Sequence, residues 1–164
     1  MAHYRIHPDL TGLAAWLLLC FAAAGIGGMG SAGAAEFYGQ LRQPVWAPPA
    51  WLFAPVWTVL YAMMGVSAWL VWRAQRPGLF STALFLFVVQ LAVNALWSWI
   101  FFVWNQGALS LAWIAGLWLL VVGTIVAFHR VHRPAAWMLA PYLLWISYAL
   151  LLTAALWLMN PEFL

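Results

Sequence analysis

The sequence is short of charge. Of its 164 residues only 5% are Asp, Glu, Lys or Arg, and no lysine is present. A soluble domain carries about 25% charged residues, so this chain cannot cover a water-facing surface. Its net charge of +3 comes from scattered arginines, without the basic stripe that is typical of nucleic-acid binding. The composition therefore excludes a soluble globular protein and a nucleic-acid-binding protein.

Cysteine and intramembrane charge are equally scarce. Cys20 is the single cysteine, which excludes a disulfide framework and a thiolate zinc centre, and no metal site is predicted. No Asp, Glu, Lys, Arg or His lies well inside any long apolar segment. Ionisable groups in such segments mark proton relays and ion-coupled carriers. Their absence argues against a pump and against acid–base catalysis at the membrane centre.

Apolar residues, by contrast, make up 68% of the chain. A membrane-spanning helix needs about 20 of them in succession. Five segments qualify, at about 10–29, 50–71, 79–104, 108–128 and 135–159. No ten-residue segments alternate apolar and polar residues as membrane strands do. The prediction is an all-α integral membrane protein, a single domain built as a five-helix bundle with a structured loop between helices one and two.

The arginines predict the orientation of this bundle. Five of the six fall in the N-terminal tail and in the second and fourth loops, on one side of the membrane: Arg5, Arg73, Arg76, Arg130 and Arg133. Basic residues concentrate in cytoplasmic loops, so the N-terminus is predicted to be cytoplasmic and the C-terminus outside. The first apolar segment is interpreted as a retained helix rather than a cleaved signal peptide.

Aromatic and amide side chains point to a site between the helices. Three of the predicted helices carry such residues on one face, at helical spacing: Trp57 with Tyr61, Gln90 with Asn94 and Trp97, and Trp145 with Ala149. Amides avoid lipid, so the face of Gln90 and Asn94 is expected to point into the bundle. There it forms either an interhelical hydrogen bond that only holds helices together or part of a pocket for a flat hydrophobic ligand.

The loop between the first two predicted helices is rich in proline and tryptophan. Pro48 and Pro49 favour an extended, stiff turn, and Trp46 and Trp51 flank them. With Arg42, the only cation on that side, these residues are predicted to form a lid over the outer end of the bundle. The alternative is an aromatic clamp that has no role in ligand binding.

Several of these motifs resemble one family, that of tryptophan-rich sensory proteins and mitochondrial translocator proteins (the peripheral benzodiazepine receptor). The matching segments cover about Glu36 to Trp157 and are Pro44-Val-Trp46-Ala-Pro48-Pro49-Ala-Trp51, Pro55-Val-Trp57-Thr-Val-Leu-Tyr61, Gln90-Leu-Ala-Val-Asn94-Ala-Leu-Trp97 and Pro141-Tyr142-Leu-Leu-Trp145. The resemblance implies a five-helix bundle, often a homodimer, that binds protoporphyrin IX without an obligatory cofactor. It also implies synthetic isoquinoline and benzodiazepine ligands, and cholesterol in animal members.

The resemblance also implies roles for particular residues. The family's pocket positions carry over onto Trp57, Tyr61, Asn94, Trp145 and Ala149. The porphyrin plane is expected between Trp57, Tyr61 and Trp145, with Asn94 at a polar edge and the propionates directed towards the lid. Trp57 and Trp145 match the pair implicated in light-dependent porphyrin breakdown in some bacterial members, so photo-oxidative degradation is an alternative to plain binding. No firm catalytic residue is predicted.

The sequence departs from animal members of that family at two places. Residues 153–159 contain neither tyrosine nor arginine, so the proposed sterol motif is missing. Leu109 stands where animal members have a tryptophan. A bacterial cell membrane is therefore the expected location, with a sensory, regulatory or transport role in porphyrin metabolism. Lipid or sterol translocation is the further alternative.

Overall fold

A computed structural model describes residues 10–75 and 81–164, and these residues form seven α-helices and no β-strand. The helices are α1 (Leu10–Gly30), α2 (Ala34–Gln40), α3 (Phe53–Ala74), α4 (Thr82–Ser98), α5 (Gly107–Val131), α6 (Arg133–Met138) and α7 (Ala140–Met159). A 3₁₀ turn, Ala50–Leu52, leads into α3, and a π-helical turn, Trp99–Val103, extends α4.

Among the described residues, five helical segments are long and apolar enough to cross a membrane. They are Leu10–Gly30, Ala50–Ala74, Thr82–Val103, Gly107–Val131 and Arg133–Met159. The predicted all-α, five-helix membrane fold is thereby confirmed, and the chain is an integral membrane protein. The start predicted for the third helix at residue 79 lies outside the described residues. So do Arg5 and Arg76, on which the predicted orientation partly depends.

Two features of the helices were not predicted. The loop after α1 contains the short helix α2. The prediction from sequence rests on apolar segments long enough to span a membrane, and α2 is much shorter than that. The fifth span is broken at Leu139 because Pro141, near the start of α7, has no amide hydrogen to continue a straight helix. The amide of Leu139 instead donates to the carbonyl of Ala136 at 3.1 Å in a tighter turn, and α7 begins beyond it.

The long helices surround a common core. Helix α1 packs against α3 and α4, and α5 packs against α4 and α7. Close approach of α1 and α3 depends on Gly65, where a Cβ atom would lie 2.8 Å from the Leu17 side chain. Gly27 of α1 also faces α4, but a Cβ there would lie 3.5 Å from the carbonyl oxygen of Ala95, which is an ordinary van der Waals distance. Small residues thus let backbones meet closely within the bundle.

The end of the bundle that carries the loops after α3 and α5 is tightly filled. Met64, Ala68 and Val71 of α3 have no exposed surface there. Helix α6 packs against α3, and the hydroxyl of Ser67 donates to the carbonyl of Ala135 at 2.7 Å. We call this region the closed end. The opposite end, where α1 leaves and α3 begins, contains the candidate site.

Candidate ligand-binding cavity

A cavity of about 450 Å³ lies inside the bundle, beneath the loop that joins α1 to α3. Side chains from α1, α2, α3, α4 and α7 line it. Among them are five residues that the sequence predicted for a ligand site, namely Trp57, Tyr61, Asn94, Trp97 and Trp145, and the predicted Ala149 lines it as well. Residues from three different helices therefore meet at one enclosed space.

Aromatic rings form one wall of this cavity, where α3 faces α7. The ring centroids of Trp57 and Trp145 are 6.5 Å apart and the two planes are perpendicular. Trp57 also lies 5.7 Å from Tyr61, and Phe53 lies 5.9 Å from Trp145. Edge-to-face contacts of this kind are favourable for aromatic pairs. Because these two indoles are in contact, the open space of the cavity lies beside them and not between them.

The polar part of the wall is small and uncharged. The Asn94 side-chain amide donates a hydrogen bond to the Tyr61 hydroxyl at 3.2 Å, and both residues are buried. Trp97 lines the cavity with its ring while its indole N–H donates to the Ser110 carbonyl at 3.2 Å. Within residues 10–75 and 81–164, none of those that line the cavity is Asp, Glu, Lys, Arg or His. The site thus offers apolar surface and a few neutral hydrogen-bonding groups.

Gln90 does not line this cavity, although the sequence placed it in the ligand site. Its side chain is 1% exposed, and its Oε1 accepts a hydrogen bond from the Tyr142 hydroxyl at 2.8 Å. One helical turn separates Gln90 from Asn94, which directs the two amides to different heights of the core. Gln90 therefore fits the alternative interpretation, an interhelical hydrogen bond that joins α4 to α7.

Comparison with known proteins identifies the family. The family profile described as TspO/MBR matches residues 16–158. This chain belongs to the TspO/MBR family. It is 39% identical to the tryptophan-rich protein TspO of Chlorobaculum tepidum over 129 residues, which is 78% of this chain and 82% of that protein. It is 37% identical to protein CrtK of Rhodobacter capsulatus over 154 residues, or 93% and 95% of the two chains.

The family also includes animal proteins. The human translocator protein is 38% identical over 129 residues, covering 74% of this chain and 73% of the human one. A tryptophan-rich sensory protein of Cereibacter sphaeroides is 35% identical over 138 residues, covering 82% and 85%. These matches confirm the resemblance drawn from the proline–tryptophan loop and the helix motifs.

In this TspO/MBR protein the five residues that were predicted to form a lid lie in the loop above the cavity, but none of them lines the cavity. Pro48 is buried, and its carbonyl accepts a hydrogen bond from the Tyr38 hydroxyl at 3.1 Å. Trp46 packs edge-on against Tyr148 at 5.7 Å, and its carbonyl accepts from the Tyr148 hydroxyl at 3.0 Å. Trp51 is 71% exposed, and Pro49 and Arg42 are exposed as well. The loop is structured, but the side chains of these five residues do not line the cavity.

The residues that do cover the cavity come from either side of the proline segment. Tyr38 of α2, Ala50 of the 3₁₀ turn and Phe53 of α3 all line it. Sequence reasoning missed Tyr38 because α2 was not predicted, and it did not select Ala50 and Phe53 although both lie at the start of the second predicted helix. The available signal was the spacing of Ala34 and Tyr38, which are four residues apart and share one face of a helical turn.

A single amide attaches this loop to the C-terminal end of α7. Asn160 is 1% exposed, and its Oδ1 accepts from the Arg42 amide at 2.7 Å. Its Nδ2 donates to the Arg42 carbonyl at 2.9 Å and to the Leu156 carbonyl at 2.8 Å. Arg42 therefore attaches the loop through its backbone amide and carbonyl groups.

Tyr38 makes a second attachment within the loop. Burial raises the pKa of its hydroxyl to about 12, with a smaller contribution from Tyr148. The hydroxyl therefore stays protonated at neutral pH and donates to Pro48. Together with Asn160, this bond holds the cover in one place.

The cavity has a sideways mouth towards the surface that faces lipid. Phe21 and Gly28 of α1 and Ala54 and Thr58 of α3 line the cavity and are also exposed. These two helices lie side by side, so the mouth opens between their ends near the loop. The opening therefore connects the cavity with the surface of the bundle without passing the covered end.

Proposed function

We propose that this TspO/MBR protein binds a tetrapyrrole such as protoporphyrin IX in the cavity. The observation that carries the proposal is a cavity of about 450 Å³ whose wall combines aromatic rings with one buried amide–phenol pair. Small-molecule sites have volumes of about 300–1,000 Å³ and mostly apolar walls with a few placed polar groups. The bound ring would lie against Trp57 and Trp145, with Asn94 and Tyr61 at a polar edge.

The lack of histidine and of charged side chains in the cavity wall favours a particular form and orientation of this ligand. No histidine lines the cavity, so an iron porphyrin would lack its usual axial ligand, and metal-free porphyrin should bind at least as well as haem. No cation lines it either, and burying an unpaired carboxylate is costly. The propionates would therefore extend out of the mouth to the headgroup region, where Arg42 is an available cation at the same end of the bundle.

Fluorescence titration with protoporphyrin IX tests this proposal. Trp57→Ala and Trp145→Ala should each weaken binding by about tenfold, because each removes a large apolar contact from the wall. Trp51→Ala is the matched control, since Trp51 is exposed and outside the cavity. Unchanged affinity in both cavity variants would show that the porphyrin binds elsewhere.

A second candidate is light-dependent porphyrin breakdown, favoured by the contact between Trp57 and Trp145 in the cavity wall. An indole at that position would give one electron to a photoexcited porphyrin, and the porphyrin radical anion would add dissolved oxygen. Return of the electron to the indole radical cation would then leave an oxygenated porphyrin and an intact tryptophan. Illumination of the complex, followed by porphyrin absorbance, separates this activity from binding. Degradation should slow in Trp57→Phe and Trp145→Phe variants that still bind. Equal loss of pigment with and without the protein would exclude it.

The family's other ligands compete for the same space in this proposal. Isoquinolines and benzodiazepines are flat and apolar, so they should displace porphyrin from the cavity. A sterol or lipid is the further candidate, and a sensory or transport role would follow from binding through the sideways mouth. Displacement titrations against bound protoporphyrin, together with flux measurements in sealed vesicles, distinguish these functions.

We also propose that the protein lies in a bacterial cell membrane with its N-terminus in the cytoplasm and its C-terminus outside. Arg73, Arg130 and Arg133 adjoin the closed end, whereas Arg42 lies at the other. Single-cysteine variants in a Cys20→Ala background test this orientation. A membrane-impermeant maleimide should label Pro161→Cys in intact cells and leave Arg133→Cys unlabelled. The reverse pattern would invert the topology.

A homodimer is proposed as well, as the family resemblance implies. Two pairs of small residues in α1 permit close helix approach, Ala23 with Gly27 and Ala24 with Gly28. The first pair is buried in the bundle, whereas the second lines the cavity and Gly28 is also exposed. Gly25 remains exposed, with no atom within 4 Å of the place of a Cβ. If α1 forms the interface, Gly25→Leu should shift the protein towards monomer in analytical ultracentrifugation in detergent.

A further inference from the structure

A second concavity, of about 490 Å³, lies on the outside of the bundle at the closed end. It is formed between the C-terminal part of α5 and the break that separates α6 from α7. His129 and Arg130 contribute its polar side, and Ala140, Leu143 and Leu144 are among its apolar walls. We call it the basic groove. It shares no lining residue with the porphyrin cavity.

The break at Leu139 is the reason why this groove exists. The side chain of Leu139 is buried in the core, so α6 and α7 do not form one continuous surface along α5. Ala140, the first residue of α7, lines the groove, and its small side chain leaves space there unfilled. A straight helix with a large residue there would close the groove.

The groove is charged at one end and apolar at the other. Arg130 is exposed in the last turn of α5, where it also complements the partial negative charge of the helix end. Trp137 lines the groove and is 70% exposed, as is typical of indoles at the membrane–water interface. Leu144 lies about 6 Å further along α7 than Ala140, towards the hydrocarbon. The basic end thus adjoins headgroups and the apolar end adjoins acyl chains.

Nothing acidic balances this charge in the described part of the chain. Glu36 and Glu162, the acidic residues within the described ranges, lie in and near the loop cover at the other end of the bundle. His132 is turned away from the groove to cap α6, since its Nδ1 accepts from the Ala135 amide at 3.2 Å. The guanidinium of Arg130 is therefore available to a ligand from the membrane.

We propose that the basic groove binds an anionic phospholipid. The phosphate group pairs with Arg130 beside His129, and an acyl chain lies along Ala140, Leu143 and Leu144. Basic pockets between membrane helices on the cytoplasmic side are suited to anionic headgroups. A zwitterionic lipid carries an ammonium group that weakens this pairing, so the groove selects by headgroup charge. The site is independent of the porphyrin cavity and of its proposed ligand.

Native mass spectrometry of the purified full-length protein tests this site. Phosphatidylglycerol and phosphatidylcholine with identical acyl chains serve as probes. The unmodified protein should retain phosphatidylglycerol preferentially, and Arg130→Gln should lower that binding by about fivefold. Arg133→Gln is the matched control, because it removes the same charge three residues away, on a side chain that does not line the groove. It should change binding by less than about twofold.

A second variant tests the apolar half of the site. Ala140→Phe fills the groove and should reduce retention of phosphatidylglycerol while Arg130 remains in place. Circular dichroism checks that the variants are folded. If Ala140→Phe does not fold, the comparison of Arg130→Gln with Arg133→Gln tests the site by itself, because Arg130 is exposed. Equal retention of the two lipids by the unmodified protein, or equal losses in Arg130→Gln and Arg133→Gln, would overturn the proposal.

Discussion

The two ends of the bundle differ in how their helices meet. At the closed end α3 contacts α6 through small and aliphatic side chains, and the Ser67–Ala135 hydrogen bond joins them at 2.7 Å. At the loop end α3 and α7 meet through large aromatic rings, with the Trp57 and Trp145 centroids 6.5 Å apart. Large rings hold the helix backbones apart and leave a space beside them. The contacts of α3 are therefore tightly filled at the closed end, whereas its aromatic contacts at the loop end border the cavity.

The largest expected effect is the loss of a core ring at the closed end. Phe87 is fully buried and stacks on Phe128 with centroids 5.7 Å apart. Phe87→Ala should lower the free energy of unfolding by about 3–5 kcal/mol, because it leaves a void in a filled region. Trp145→Ala at the loop end should cost at most about half as much, since space already adjoins that ring. Unfolding by SDS in detergent micelles compares them, and equal costs would contradict the contrast.

Enlarging an alanine tests the same contrast in the opposite direction. Ala68 has no exposed surface at the closed end, so Ala68→Leu should destabilise the protein by about 1–3 kcal/mol through overpacking. Ala149 lines the cavity, so Ala149→Leu should cost less than about 1 kcal/mol and yet weaken porphyrin binding about tenfold. Unfolding and fluorescence titrations of both variants provide the measurements. A strongly destabilised Ala149→Leu variant would mean that the cavity is not free space.

A third prediction concerns the attachment of the cover at the loop end. Asn160→Ala removes three hydrogen bonds and should cost about 1–2 kcal/mol. Amide hydrogen exchange should accelerate in residues 42–49, and porphyrin should dissociate faster. Gln40→Ala, at an exposed position of α2, is the control and should leave both rates unchanged. Equal exchange in the two variants would show that the cover is held by other contacts.

The smallest effect is expected from the hydroxyl of Tyr38. Its pKa is about 12 in the folded protein and about 10 in an unfolded chain. The folded state therefore holds this proton more tightly. The resulting stability is complete below pH 10 and is lost as the pH rises from 10 towards 12. Tyr38→Phe should cost about 0.5–1.5 kcal/mol at neutral pH and flatten this dependence. An unaltered alkaline profile in Tyr38→Phe would assign the pH dependence to other groups.

Much of the site could be predicted from helical spacing alone. Trp57 and Tyr61 are four residues apart, and their shared face does border the cavity. The same reasoning failed for Gln90, because spacing along one helix does not distinguish which of two successive turns meets a void. That distinction depends on Tyr142, a residue of α7, whose hydroxyl donates a hydrogen bond to the Gln90 amide oxygen at 2.8 Å.

The cover shows a similar limit. Prolines and tryptophans correctly indicated an ordered loop, since a disordered segment has little use for buried aromatic rings. They did not indicate that Tyr38 and Phe53 line the cavity while Trp51 points outward. Loop side chains find their partners at sequence separations such as 118 residues, between Arg42 and Asn160, and no local pattern encodes such pairs.

Composition by itself determined that this protein lies in a membrane and crosses it five times, because backbone groups in lipid are satisfied within apolar helices of about 20 residues. It also determined that the interior carries no charge. Only the tertiary structure decided which aromatic faces enclose a space, where that space opens, and how α6 and α7 part to form the basic groove. Those features arise from contacts between helices, where the sizes of facing side chains decide whether a gap is filled or left open.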